Sequence, residues 1–442
     1  MLDIQGRTFR NCDRVSRRDV LKVGMLAAGG LALPDLLRRK ALASRDGNDV
    51  QQTAVIQIFC GGGPSHIDMY DMKPHAPAEI RGEFQEISTN VTGCRISDQL
   101  PLQARVMDKF AIVRSVAHST SAHGIASQWI LTGHNPGRVT TDNIFPACGS
   151  IVAKIRGANQ PGMPAYMAVP RKVSFGNAAY LGAAYNPFTT DQDPVAKDFQ
   201  VKNLQPVPGM TLDRLGNRRE LLAGMDTMRR DIDLHGDLQG MDTFYRDAVG
   251  MITSDKAAKA FDIHSEDPKL RAKYGHTFIG QNCLLARRLV EAGVSYVTCL
   301  SGGGWDTHTN NFSRLKKETL PRYDRAIAAL VDDIYERGLD KQVLVMVFGE
   351  FGRTPRVNKE AGRDHWPGAM SMLLSGGGLK VGQMIGETDS NAAYPISKPY
   401  TPGNVLSTMY KVMGIDDKHH FHDGSNRPIP ILGDGGPIPE LL

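Results

Sequence analysis

Cysteine pairs are missing from this 442-residue chain: none of its six cysteines forms a C-x-x-C motif. One lies in the leading segment, and Cys60, Cys94, Cys148, Cys283 and Cys299 leave an odd number. That argues against both a zinc ribbon and a disulfide framework. The glycine run 61–63 matches neither G-x-G-x-x-G nor G-x-x-x-x-G-K-[ST], so no dinucleotide or P-loop site is indicated. A charge excess is also lacking from the body of the chain. The formal +5 comes from the first 43 residues, which hold nine basic and four acidic side chains; the rest carries 43 of each. A neutral body lacks the basic face that a nucleic-acid partner requires. Beyond the leader no apolar run approaches the 18 or so residues of a membrane span.

The leader itself is informative. Ser16-Arg17-Arg18-Asp19-Val20-Leu21-Lys22 precedes the apolar, Ala- and Gly-rich stretch 23–33, and Ala41-Leu42-Ala43 closes it. Charged start, short apolar middle and small-residue exit are the parts of a secretory signal. The paired arginines resemble the twin-arginine export signal. The expectation is a signal peptide over 1–43 and a periplasmic or secreted mature chain over 44–442, exported folded, with no stable membrane span.

Short β-branched runs at 55–59, 110–116, 165–169, 294–300, 343–348 and 370–374 read as buried strands. Helical patterns lie between them at 143–156, 212–233, 241–261, 277–292, 315–337 and 403–413. The alternation predicts one α/β domain, a mostly parallel sheet with helices on both faces. The proline-rich stretch 180–209 reads as an irregular excursion. In such a sheet ligands sit beyond the carboxyl ends of the strands. Four of the runs end in Gly-rich or polar turns that bear His, Asp or Glu, and the cluster Gly362-Arg363-Asp364-His365-Trp366 stands just before another strand.

Asp306, His308 and His365 offer two imidazoles and a carboxylate, a pattern of catalytic zinc. Such residues also serve as hydrogen-bonding groups in tight loops. Glu350 is a candidate further ligand or general base. Arg353, at the same strand end, is a candidate grip for a bound anion. His118 and His123 stand in a Ser/Thr/Gly-rich turn, and one of them reads as a metal ligand, a general base or a nucleophile. His66 and Asp68 add ligands or merely hold their turn.

Gly62-Gly63-Pro64-Ser65-His66-Ile67-Asp68, Leu131-Thr132-Gly133-His134-Asn135-Pro136, Gly304-Trp305-Asp306-Thr307-His308, Gly349-Glu350-Phe351-Gly352-Arg353-Thr354-Pro355 and Gly362-Arg363-Asp364-His365 occur in that order. Together they resemble the exported bacterial family called domain of unknown function 1501. That family is similar in fold to the alkaline phosphatase and sulfatase superfamily, which hydrolyses phosphate and sulfate esters at metal centres. The resemblance implies an alkaline-phosphatase-like domain and an exported, metal-dependent hydrolase of sulfate or phosphate esters, with a small-molecule or polysaccharide ester as substrate. It places His123 at the superfamily's nucleophile position, Cys60 at a first-strand ligand position, and Glu350-Phe351 where an Asp-His ligand pair stands. One metal site, most simply zinc on Asp306, His308 and His365, is kept by this correspondence, and a second is altered. The alternative is a carbohydrate- or protein-binding relative that has lost the chemistry.

Overall fold

A computed structural model describes residues 52–201, 250–251 and 254–442. The leader 1–43, the helical pattern 212–233 and most of 241–254 lie outside the described residues, as do positions 202–209 of the excursion.

Eight strands form one sheet: β1 (Ala54–Phe59), β2 (Ala111–Val116), β3 (Tyr166–Val169), β4 (Phe188–Thr189), β5 (Tyr296–Leu300), β6 (Val343–Phe348), β7 (Met370–Gly376) and β8 (Gln383–Ile385). Their spatial order is β8-β2-β7-β6-β1-β5-β3-β4. All pairings are parallel except those of β7, which runs against both β2 and β6. The fold is thus α/β with a mostly parallel sheet. β1 and β6 are buried along their whole length, so β6 reads as an unbroken apolar run and β1 as one interrupted only by Gln57, whose Oε1 accepts from the Tyr296 hydroxyl.

Successive side chains of β1 point to opposite faces. Ile56 and Ile58 pack with residues of α3 (Phe278–Ala292) and α4 (Leu320–Glu336). Val55 and Phe59 pack with residues of α1 (His123–Thr132), α2 (Cys148–Arg156) and α5 (Pro402–Val412). The sheet is therefore covered on both sides. No helix among the described residues is long and apolar enough to cross a membrane.

Two departures from the sequence reading have local causes. The pattern 315–337 is not one regular helix: a π-helical turn, Leu315–Thr319, precedes α4. Pro321 lacks the N–H that an unbroken α-helix would use there, and the wider turn stands where that ladder is interrupted. The segment around His123 is not a turn but the first turn of α1. Its buried residues include Ser127, Gln128 and Thr132, so no apolar stripe marks it, and Ala122 supplies no capping side chain. Gly133, left-handed at the helix C-terminus, is the sequence sign that was present.

The direction of β7 matters for the site. A strand antiparallel to its neighbours begins at the edge where they end. The segment before it, with Arg363, Asp364 and His365, is thereby delivered to the carboxyl edge of β1, β5 and β6. His365–Trp366 pairs there with Gly352–Arg353 in a short antiparallel ribbon.

Candidate metal centre

Four chain segments converge at this edge. The turn after β1 brings Gly62, whose φ of +118° suits glycine; a Cβ there would lie 2.7 Å from the Asp306 nitrogen. The loop after β5 brings Asp306 and His308, the loop after β6 brings Glu350 and the ribbon, and α1 brings His123 at its first position.

His308 Nε2 lies 2.9 Å from His365 Nε2, and each is 3.1 Å from Asp306 Oδ1. The other nitrogen of each ring is already committed. His308 Nδ1 is 2.6 Å from Asp364 Oδ1, and His365 Nδ1 is 2.9 Å from the Ser121 carbonyl oxygen. Both partners are acceptors, so each Nδ1 carries the hydrogen and donates it. A neutral ring then turns the bare lone pair of Nε2 toward its neighbour and toward Asp306. With both rings neutral, three acceptor atoms face one another at about 3 Å, beside the Arg353 guanidinium that donates to Asp306 Oδ1 at 2.6 Å, and a cation among them would hold them together. The donor set therefore fits a divalent ion, with Asp364 and the Ser121 carbonyl as the outer partners that fix the rings. His123, Asp306 and His365 also present ligand atoms within 4.8 Å of one another, so His123 borders the same space.

His123 Nδ1–H donates to Glu350 Oε1 at 2.5 Å, and its Nε2 faces Asp306 Oδ2 at 3.6 Å. The Glu350 hydrogen bond raises the His123 pKa; burial works against it, while the charges of Glu350 and Asp306 add to it. For Asp306, burial pushes the pKa up, but the Arg353 hydrogen bond and the neighbouring His365 and His308 outweigh it, and it settles at about 2. Burial lowers the His365 pKa against the pull of Asp306, favouring the neutral ring. Phe351 is fully buried and its ring lies 4.4 Å from that of His365 and 4.9 Å from that of His123.

The structure thus brings Asp306, His308, His365, His123, Glu350 and Arg353 together, but two of them stand differently from the sequence reading. Arg353 is 0% exposed rather than open to an anion. Its Nε donates to the Gly63 carbonyl at 2.9 Å and Nη1 to the Arg363 carbonyl at 2.9 Å. Its Nη2 donates to the Gly62 carbonyl and to Asp306 Oδ1, the latter at 2.6 Å. Glu350 is 2% exposed, and both its oxygens accept from the Gly62 N–H, at 2.9 and 3.1 Å, so it grips the backbone and His123 instead of facing the lone-pair cluster. His118 touches the cluster only through Nε2, 2.6 Å from the Glu350 carbonyl oxygen. Cys60 is buried, and burial drives its thiol pKa up to about 12, so it stays protonated. His66 and Asp68 lie inside the protein, where Asp68 pairs with Arg363. Asp364 is a ring partner that residue type alone does not mark; its place beside His365 in Arg-Asp-His is the available sequence signal.

Gly362 shows how tightly the loops are set: a Cβ there would overlap the His308 carbonyl. Gly362→Ala is expected to cost about 1–3 kcal/mol through overpacking, read from the urea midpoint. An unchanged midpoint would show that the loops have room.

A mostly parallel α/β sheet carrying a histidine–aspartate cluster at its carboxyl edge defines an α/β protein with a candidate divalent-metal centre. The chain belongs to the family described as "Protein of unknown function (DUF1501)", whose pattern it matches over residues 52–442. No curated protein matches the sequence. Among solved structures it is similar to the lipoteichoic acid synthase LtaP from Listeria monocytogenes, at 10% identity and a TM-score of 0.32, over 85% of this chain and 78% of that one. It is also similar to the PsFucS1 sulfatase from Pseudoalteromonas sp., at 12% identity and a TM-score of 0.36, over 90% of this chain and 72% of that one. A third likeness is to alkaline phosphatase from the Antarctic bacterium TAB5, at 13% identity and a TM-score of 0.34, over 82% of this chain and 98% of that one.

Proposed function

We propose that the protein is a metal-dependent hydrolase of sulfate or phosphate esters. The observation that carries this is the convergence of two histidine Nε2 atoms on Asp306 Oδ1, beside the His123–Glu350 pair. The motif resemblance supplies the ester class. Asp306, His308 and His365 would hold one divalent ion, and two neutral imidazoles with a carboxylate suit zinc better than calcium. The chemistry such an ion supplies is electrostatic, polarising an ester oxygen and opposing the charge that builds on it.

The chain's own residues do the rest. Arg353 holds Asp306 in place and acts as a positioning residue. Glu350, fixed by the Gly62 N–H, accepts the Nδ1–H of His123 and so leaves Nε2 free and basic on the side of the cluster. His123 Nε2 takes a proton from an attacking water as the water oxygen bonds to sulfur or phosphorus. The bond from that atom to the alcohol oxygen breaks, and the alcohol oxygen recovers the proton from Nε2. In direct attack Nε2 bonds to the sulfur or phosphorus, the alcohol departs with a proton taken from water, and the hydroxide so formed displaces His123 to release sulfate or phosphate.

A panel of sulfate and phosphate monoesters, assayed with the zinc-loaded protein, tests the reading. His123→Ala is expected to lower kcat by about 10²–10⁴-fold, the range of a positioned base, with zinc content retained. Full activity in that variant would make His123 structural. A zinc-loaded wild type that turns over no ester would favour the binding-protein alternative.

A further inference from the structure

A cavity of about 300 Å³ opens at the same sheet edge, one residue from Asp306. The loop after β5 forms one wall with Gly302, Gly303 and Trp305, Arg171 follows the end of β3, and Arg322 comes from α4. Its floor is rigid: Trp305 is buried, donates Nε1–H to Ser301 Oγ at 2.9 Å, and stacks edge-on against Tyr323 at 5.1 Å. Both arginines are exposed, and neither is paired with a carboxylate or carbonyl among the described residues. The single acidic side chain on the cavity, Glu318, is also exposed and forms no ion pair with either. The lining therefore carries two guanidinium forks against one carboxylate.

We infer that this cavity is a subsite for a second anionic group, a sulfate, phosphate or carboxylate, on the same molecule whose ester reaches His123. The inference rests on the ester-hydrolase reading for the first group and names the substrate class further: esters that carry at least two anions. Three features support it. The cavity lies on the carboxyl edge of the sheet, continuous in sequence with Asp306 through Trp305. Its volume is at the small end of ligand sites, enough for one substituent and part of its carrier ring. Planar guanidinium groups bind oxyanions in a bidentate manner, and these two are not spent on the protein, in contrast to Arg353.

The test uses the full-length, zinc-loaded protein and two probes that cannot be consumed: a sugar-sized ring bearing two sulfonates, and the same ring bearing one. Sulfonates have no ester bond to break. By calorimetry at fixed ionic strength, the wild type is expected to bind the disulfonate at least about tenfold more tightly, the worth of a charge-assisted hydrogen bond. In R171A/R322A that preference should disappear, while R171K/R322K should keep part of it because lysine retains charge without the fork. Near-ultraviolet circular dichroism of the aromatic side chains, Trp305 among them, checks that each variant is folded. Equal affinity for the two probes, no measurable binding of either, or an undiminished preference in R171A/R322A would overturn the subsite. Ester hydrolysis without a disulfonate preference would sink the subsite alone. A preference without hydrolysis of any ester would sink the hydrolase reading and leave the anion subsite standing.

Discussion

His365→Ala is expected to empty the centre. The variant removes one of the two Nε2 lone pairs that face Asp306 Oδ1 and leaves His308 and Asp306 as an incomplete set. Loss of an outer partner typically costs about 10–100-fold in metal affinity, and loss of a direct ligand should cost more. Competition against a chelator, followed by elemental analysis, would show zinc falling from one equivalent to a small residue. Ester turnover should fall with it. The side chain is 19% exposed, at the rim of the site, so the fold should persist by circular dichroism. Asp364→Ala provides the graded comparison: it frees His308 Nδ1 from its acceptor and should lie within the outer-partner range. Unchanged metal content in His365→Ala would remove the proposed ligand set.

The second large effect lies beneath the site. Asp68 and Arg363 are both fully buried and form a two-pronged pair, Arg363 Nε to Asp68 Oδ2 at 2.8 Å and Nη2 to Oδ1 at 2.9 Å. Asp68 also accepts from Ser65 Oγ at 2.6 Å and from Asn311 Nδ2 at 2.8 Å. Arg363 in turn donates to the carbonyls of Thr354, Pro355 and Ile80. One carboxylate thus ties the segment after β1, the loop after β5 and the loop before β7. Asp68→Asn leaves a guanidinium cation buried without its counter-charge, a change that costs about 3–5 kcal/mol in such settings. A large fall in the urea midpoint, with weaker zinc retention in parallel, is the expected result. Glu79→Gln, at an open pair 4.0 Å from Arg356, should leave the midpoint unmoved. If the two variants behave alike, the buried pair is not what holds these loops.

Much of the sheet is legible because its inner strands are largely buried and mostly apolar, interrupted by only one or two polar residues each, such as Gln57 in β1 and Thr298 in β5. The edge strands are not: β4 has two residues and β8 three, too few for any periodicity to show. The same contrast holds in the site. Residue type and position beside a strand end suffice to assemble Asp306, His308, Glu350, Arg353 and His365 as candidates, His365 before its strand and the others after theirs. What each one faces depends on side-chain direction, which spacing does not carry. Arg353 turns inward to the carbonyls of Gly62 and Gly63, partners some 290 residues away. Glu350 likewise turns to the Gly62 N–H. His123 was legible as a candidate but not as the start of a helix, because α1 buries polar residues and shows no apolar stripe.

The reversed direction of β7 also bears on the order in which the molecule can assemble. His123, Asp306 and His365 meet only after α1, the loop after β5 and the ribbon before β7 have all docked, closing chain loops of well over one hundred residues between the first and the others. Contacts of such long sequence separation form slowly, since loop closure must precede any gain from them. The centre is therefore among the last parts of the chain to acquire its shape, and an ion that binds only the finished cluster would act as a latch on a sheet that is already built.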